Sequence, residues 1–192
     1  MLKNPSDGRC LKTRQAVEDA LYDFYSNHSY FEKLTVRGLC REAKISAPAF
    51  YRNYRGVYDV VRAKDEKIRT GLLGAVGEES SLLVGLVRLF NFVRKNDSYF
   101  RINFLQERGT PFEIILKIFE PKILRFIRTE RRVRRSEKVD QRICDEVKNY
   151  LVFRLTWWIE KDGFDDEKSM ERINEIVAYA KGRILEMEKR PS

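Results

Sequence analysis

Arg52 carries the planar fork of donors that can grip O6 and N7 of one guanine, while Ala47 and Ala49 offer methyl groups that pack against a thymine methyl. They lie in the run Lys44-Ile45-Ser46-Ala47-Pro48-Ala49-Phe50-Tyr51-Arg52, where cations, hydroxyls and small apolar residues share one short stretch. Residues of these types suit recognition better than reaction: they can meet base edges and phosphates.

The chain offers little for catalysis. Its single histidine, His28, cannot build a His-rich metal site, no CxxC pair occurs, and any Ser/His/Asp arrangement would have to pass through that one residue. His28 closes an amphipathic segment, where a cation suits the helix dipole. Gly71, Gly74 and Gly77 are spaced as GxxGxxG, but no strand precedes them and no GK[ST] follows, so they read as a hinge or helix end. Cys10, Cys40 and Cys144 are odd in number and far apart, which argues against a disulfide framework and fits a reducing compartment. Neither a metal nor a cofactor is expected, and the chain does not read as an enzyme.

The 192 residues suffice for one compact domain, or for a small module joined to a larger one. With 43% hydrophobic and 12% aromatic residues the chain can offset its ordering entropy, so the 35% charged content reads as surface. Uncharged runs fall far short of the ~20 residues of a membrane span, and the first residues lack an apolar signal core, so a cytoplasmic protein is expected.

Strand signals are nearly absent, and 3.6-residue periodicity predicts an all-α fold. Helices are expected over 13–27, 35–43, 47–54, 57–69, 79–95, 98–108, 111–135 with a break near Pro121, 139–161 and 166–188. The predicted organisation is a first domain over 1–56, a connecting helix and possible hinge over 57–78, and a larger helical domain over 79–192. Only Lys44, Ile45 and Ser46 separate the second and third helices, which suits a helix-turn-helix crossing steeply. Thr35 and Ser46 are good N-caps, and Pro48 falls in a first turn where its missing amide costs nothing. Val36, Leu39, Cys40, Ile45 and Phe50 can lock the two short helices together, with Phe24 closing the same core.

From Thr13 to Val61 this pattern resembles the DNA-binding domain of the tetracycline-repressor (TetR) family of bacterial transcriptional regulators. The residues that carry the resemblance are Thr13-Arg14, Ala20-Leu21, Phe24, Thr35-Val36-Arg37, Leu39, Arg41-Glu42-Ala43, Ile45-Ser46, Phe50-Tyr51-Arg52 and Tyr54. The resemblance implies double-stranded DNA as partner, with Tyr51, the Thr35 hydroxyl and its helix start near phosphates. Candidate DNA-binding residues are then Thr35, Lys44, Ser46, Ala47, Pro48, Ala49, Tyr51, Arg52, Tyr54 and Arg55, of which Tyr54 suits packing better than contact. The chain departs from the family at three points. Lys44 replaces a usual glycine and would bear about 1 kcal/mol if the turn stays left-handed, Gly38 weakens the second helix by a similar amount (~1 kcal/mol), and Val57 stands where a phosphate-contacting lysine is common, with Arg55 as a substitute.

The resemblance further implies a ligand-binding and dimerisation domain, a repressor released by a small-molecule effector, and a homodimer whose recognition helices sit about one DNA turn apart, ~34–36 Å. The stripes Ile143, Val147, Leu151, Leu155, Trp158 and Ile173, Val177, Ala180, Ile184 can pair within one chain or across two, and the family favours a dimer interface. Phe90, Tyr99, Phe100, Phe104, Phe119, Tyr150, Phe153 and Trp157 are candidates to line an effector pocket, against the plainer reading of ordinary core. An all-α adaptor of the same fold, working through protein contacts, is the competing reading.

Of the formal +9, residues 1–64 hold twelve cations against seven acids. Within the larger domain, Arg125, Arg128, Arg131, Arg132, Arg134, Arg135 and Lys138 face only Glu130 and Glu137, and read as a solvated helix face or a surface for an anion.

Overall fold

The computed structural model describes residues 8–27, 34–77, 81–105, 110–162 and 168–189. Among them every regular element is helical: α1 Gly8–Asn27, α2 Val36–Glu42, α3 Ala47–Tyr51, α4 Val57–Val76, α5 Leu82–Lys95, α6 Asp97–Leu105, α7 Thr110–Glu130, α8 Glu137–Trp157 and α9 Ser169–Lys189. One π-helical turn, Trp158–Asp162, follows α8. No described helix is long and apolar enough to cross a membrane. His28 lies outside the described residues.

The chain divides into two compact units at Ile68 and Arg69. The division falls inside α4, between the two boundaries that sequence alone suggests. In the first unit, Val17, Ala20 and Leu21 of α1 pack with Leu39 and Cys40 of α2, Phe50, Tyr54 and Val60, and Phe24, Val36 and Ile45 close over them. The helix α1 begins before Thr13, whose hydroxyl bonds back to Arg9 O at 2.9 Å as an interior residue does and does not cap the start. Buried Glu18 reaches from α1 to Lys67 at 3.2 Å and Lys64 at 3.7 Å on α4. Burial lowers the Lys64 pKa, and Glu18 works against that shift.

In the second unit α5, α7, α8 and α9 each bury a 3.6-period stripe: Leu82, Leu86, Leu89, Phe90 and Val93 of α5, Ile115, Phe119, Ile123 and Ile127 of α7, then the stripes of α8 and α9. Trp158 is enclosed, with the Phe90 ring centroid at 5.7 Å and the Arg154 and Arg172 guanidinium carbons at 5.3 and 5.7 Å from its ring.

Three expectations are corrected here. Gly71 and Gly74 do not loosen α4, which continues to Val76 and stops at Gly77, φ +68°. Buried Leu72 and Val76 hold the last turns, and Gly71 serves close packing, since a Cβ there would lie 3.0 Å from Phe92 Cε2. Pro121 does not break α7, because Phe119, Ile123 and Ile127 anchor the helix on both sides of it. The helix ends at Glu130, so most of the cationic run is loop. There Arg131 grips the buried Asp140 carboxylate with both oxygens at 2.7 Å, Arg135 donates to Glu188 O at 3.2 Å, and Glu188 Oε1 accepts the Arg132 amide at 2.6 Å.

Candidate nucleic-acid interface

The turn between α2 and α3 is built from local bonds. Thr35 caps α2, its hydroxyl accepting from Gly38 N at 3.1 Å, and Ser46 caps α3, accepting from Ala49 N at 3.3 Å. The end of α2 carries the paired bonds of a Schellman motif, Lys44 N to Arg41 O at 3.2 Å and Ile45 N to Cys40 O at 3.0 Å, and these force Lys44 to φ +53°. Lys44 is the one described non-glycine residue with positive φ. Its ammonium is exposed on the turn.

Phe50 anchors α3 in the core at 0% exposure, with Tyr51 edge-on to it at 5.5 Å, so the helix turns its other faces outward. Ser46, Ala47, Pro48, Tyr51 and Arg52 are exposed and Ala49 is half-buried. Tyr51 keeps 56% of its surface, enough for its hydroxyl to reach a partner outside the chain. The helix stops at Tyr51, earlier than the sequence suggests, because Asn53 Nδ2 takes the Ala49 carbonyl at 3.0 Å. Thr35 and Arg55 are also exposed. The Arg55 amide donates to the Asp59 carboxylate at 2.9 Å, which fixes the entry to α4 and leaves the guanidinium outside. Arg37 and Arg41, exposed on α2, extend the same cationic set; their i, i+4 spacing was the available signal.

Tyr54 leaves this set. It is 5% exposed, its hydroxyl is buried with no hydrogen-bond partner, and burial, aided by Glu18, pushes its pKa up to about 12. A residue so placed is core and cannot touch DNA.

The expected dimer stripes are also core. Ile143, Val147, Leu151, Leu155, Trp158, Ile173, Ala180 and Ile184 are buried among the chain's own helices, and Val177 is half-buried. A second chain cannot reach the buried ones. The outward faces of α8 and α9 instead carry exposed Phe153 and Trp157, with Tyr150 stacked on Tyr179 at 4.0 Å. Phe153 and Trp157, lying on the surface, do not line an enclosed pocket. Phe90, Tyr99, Phe100 and Phe119 are buried in packing, and the Phe104 side chain lies outside the described residues.

A cavity of about 510 Å³ opens elsewhere in the second unit, between the end of α4 and α7. Leu73, Ile114, Ile118 and Pro121 form its apolar walls, and Arg69, Lys117, Lys122 and Arg125 its charged ones. None of the candidate aromatic residues is in that lining. Lys122 is only 2% exposed and donates to Gly77 O at 2.6 Å, and Arg88 donates to Val76 O at 3.3 Å, so two cations hold the carbonyl end of α4.

No protein-family model matches the chain, and no curated protein matches it. Among solved structures, the dihydroxyacetone kinase operon activator DhaS is similar over 88% of this chain and 96% of its own, at 14% sequence identity and a TM-score of 0.62. At that identity the likeness is one of fold: an all-helical chain with an N-terminal helix-turn-helix and a larger helical remainder.

Proposed function

We propose that the chain is a DNA-binding transcriptional regulator of the tetracycline-repressor type, a cytoplasmic homodimer that grips a roughly palindromic operator and releases it when a small molecule binds. The observation that carries this reading is the outer face of α3. Ser46, Ala47, Pro48, Tyr51 and Arg52 stand exposed on a short helix whose start is capped by Ser46 and whose inner face is anchored by Phe50. Held this way, the helix presents a guanine-reading fork, small methyl-bearing residues and a phenol to a major groove, with Lys44, Arg37 and Arg41 placed for phosphate. The likeness of fold to a protein named as an operon activator supports the same class of role.

The dimer is assigned to the outer faces of α8 and α9 around Phe153, Trp157, Tyr150 and Tyr179, because the inner stripes are already covered. A monomer would present one recognition helix, with correspondingly low affinity.

Selection of genomic fragments by the purified protein tests the reading. Enrichment of one palindromic motif is expected, with affinity falling as salt rises at a log–log slope near −0.9 per phosphate neutralised. No enriched motif would favour the adaptor and remove the regulator. Transcription from the recovered promoter is expected to rise when the gene is deleted; a fall would make the protein an activator.

A further inference from the structure

We propose that the cavity between the end of α4 and α7 binds an amphipathic anion, a carboxylate or phosphate head on an apolar body. Its identification as the effector site rests on the regulator reading above; the binding itself does not.

The argument starts from periodicity. Arg69, Leu73 and Gly77 form one i, i+4, i+8 row of α4 and its end, while Lys117, Pro121, Arg125 and Ile114, Ile118, Lys122 form two adjacent rows of α7. Facing each other, the rows enclose an apolar strip with cations beside it. Among the described residues the lining holds four cations and no carboxylate. Elsewhere in the second unit several cations meet acids directly, as Arg131 meets Asp140 at 2.7 Å and Lys148 meets Glu120 at 2.7 Å. No described carboxylate pairs with Lys117 or Arg125, both of which are exposed at the cavity.

Such a site is selective in both halves of its ligand. Cationic donors, of which Lys122 is buried, give an anion charge-assisted hydrogen bonds that a neutral hydroxyl cannot replace, and the apolar strip repays burial of a hydrocarbon body. The volume, about 510 Å³, lies within the ~300–1,000 Å³ usual for small-molecule sites. Lys122 links the site to the backbone, because its ammonium also bonds Gly77 O, the carbonyl just past α4. An anion that draws this ammonium away loosens that bond, so binding and the hold on the end of α4 become coupled.

Titration calorimetry of the full-length protein with octanoate, octyl phosphate and 1-octanol tests the proposal. At least one anion should bind about tenfold or more tightly than octanol, and whichever anion wins names the head group. The double variant Lys117→Gln with Arg125→Gln, changed at exposed positions, should lose about tenfold in anion affinity and keep octanol binding unchanged. Arg134→Gln, at an exposed cation outside the lining, should change nothing. Equal affinity for octanol, no binding of any probe, full retention in the double variant, or an equal loss in Arg134→Gln would each overturn the site. Operator affinity is measured on the same preparation. Anion binding without operator binding would end the regulator reading and leave the site standing, and an operator affinity indifferent to a filled cavity would remove the effector role alone.

Discussion

Ile45 donates its amide to Cys40 O across 3.0 Å, and this bond closes the end of α2 around a lysine held at φ +53°. The left-handed conformation at Lys44 costs about 1 kcal/mol that glycine would not bear. Replacement of Lys44 by Gly should therefore stabilise the protein by about 1 kcal/mol, read as a higher urea midpoint at constant m. If the ammonium meets a phosphate, the same variant should lose operator affinity, with a salt slope shallower by about 0.9. A gain in stability with unchanged salt slope would place Lys44 off the DNA.

Tyr54 and Tyr51 should behave oppositely. Removing the buried, unpartnered hydroxyl with Tyr54→Phe should stabilise the fold by about 1 kcal/mol and leave operator affinity alone. Tyr51→Phe should leave stability within about 0.5 kcal/mol and weaken the operator complex, while Arg52→Ala should cost that complex about 1–3 kcal/mol and relax the base preference at one position. Thermal melts and fluorescence anisotropy on the same variants separate the two effects.

Two glycines of α4 make a matched pair. A Cβ at Gly74 meets nothing within 4 Å, so Gly74→Ala should stabilise by about 0.5–1 kcal/mol through helix propensity. At Gly71 the same carbon meets Phe92 Cε2 at 3.0 Å and Cζ at 3.2 Å. Gly71→Ala should destabilise by about 1–3 kcal/mol as the ring is displaced. Equal effects in denaturant titrations would mean that α4 and α5 can separate without cost.

The features that sequence makes legible are the short-range ones. Thr35 and Ser46 announce their caps because a capping hydroxyl acts on an amide three residues away, and the strain at Lys44 is legible only through the resemblance, which puts a glycine there. The stripes of α8 and α9 are equally visible, but periodicity tells which face is covered and not what covers it. That is why Val147 and Leu151 read as an interface and prove to be core. The cationic cavity is invisible for a related reason. Its two walls lie on helices far apart in the chain, and on each alone Arg69 or Lys117 looks like ordinary solvated surface. Pro121 misleads in the same way, since a helix breaker loses to three buried residues on the opposite face of its helix.

Acid should weaken the α8–α9 contact at Glu146. A hydrogen bond from Arg183 Nε at 2.5 Å, with added support from Arg142, holds the Glu146 carboxyl below its ordinary pKa. A carboxylate with a depressed folded pKa adds stability that is complete above its unfolded value, near 4.3, and disappears as pH falls through the folded one. Glu146→Gln should therefore cost about 1–2 kcal/mol at neutral pH and nearly nothing at pH 2. Urea midpoints across pH 2–7 read the difference, and parallel profiles for the two proteins would show that Arg183 gains nothing from the charge.

The clasp between Arg131 and Asp140 changes what a polyanion meets. A count of formal charge places a dense cationic segment at the end of α7, but Arg131 is committed to a buried carboxylate and Arg135 to the Glu188 carbonyl of α9. Counter-ions gather around accessible charge, not around charge already neutralised inside a fold. Retention on heparin or phosphocellulose should accordingly follow exposed Arg132 and Arg134 and not Arg131 or Arg135, so the chromatographic charge of this loop is smaller than its formal charge.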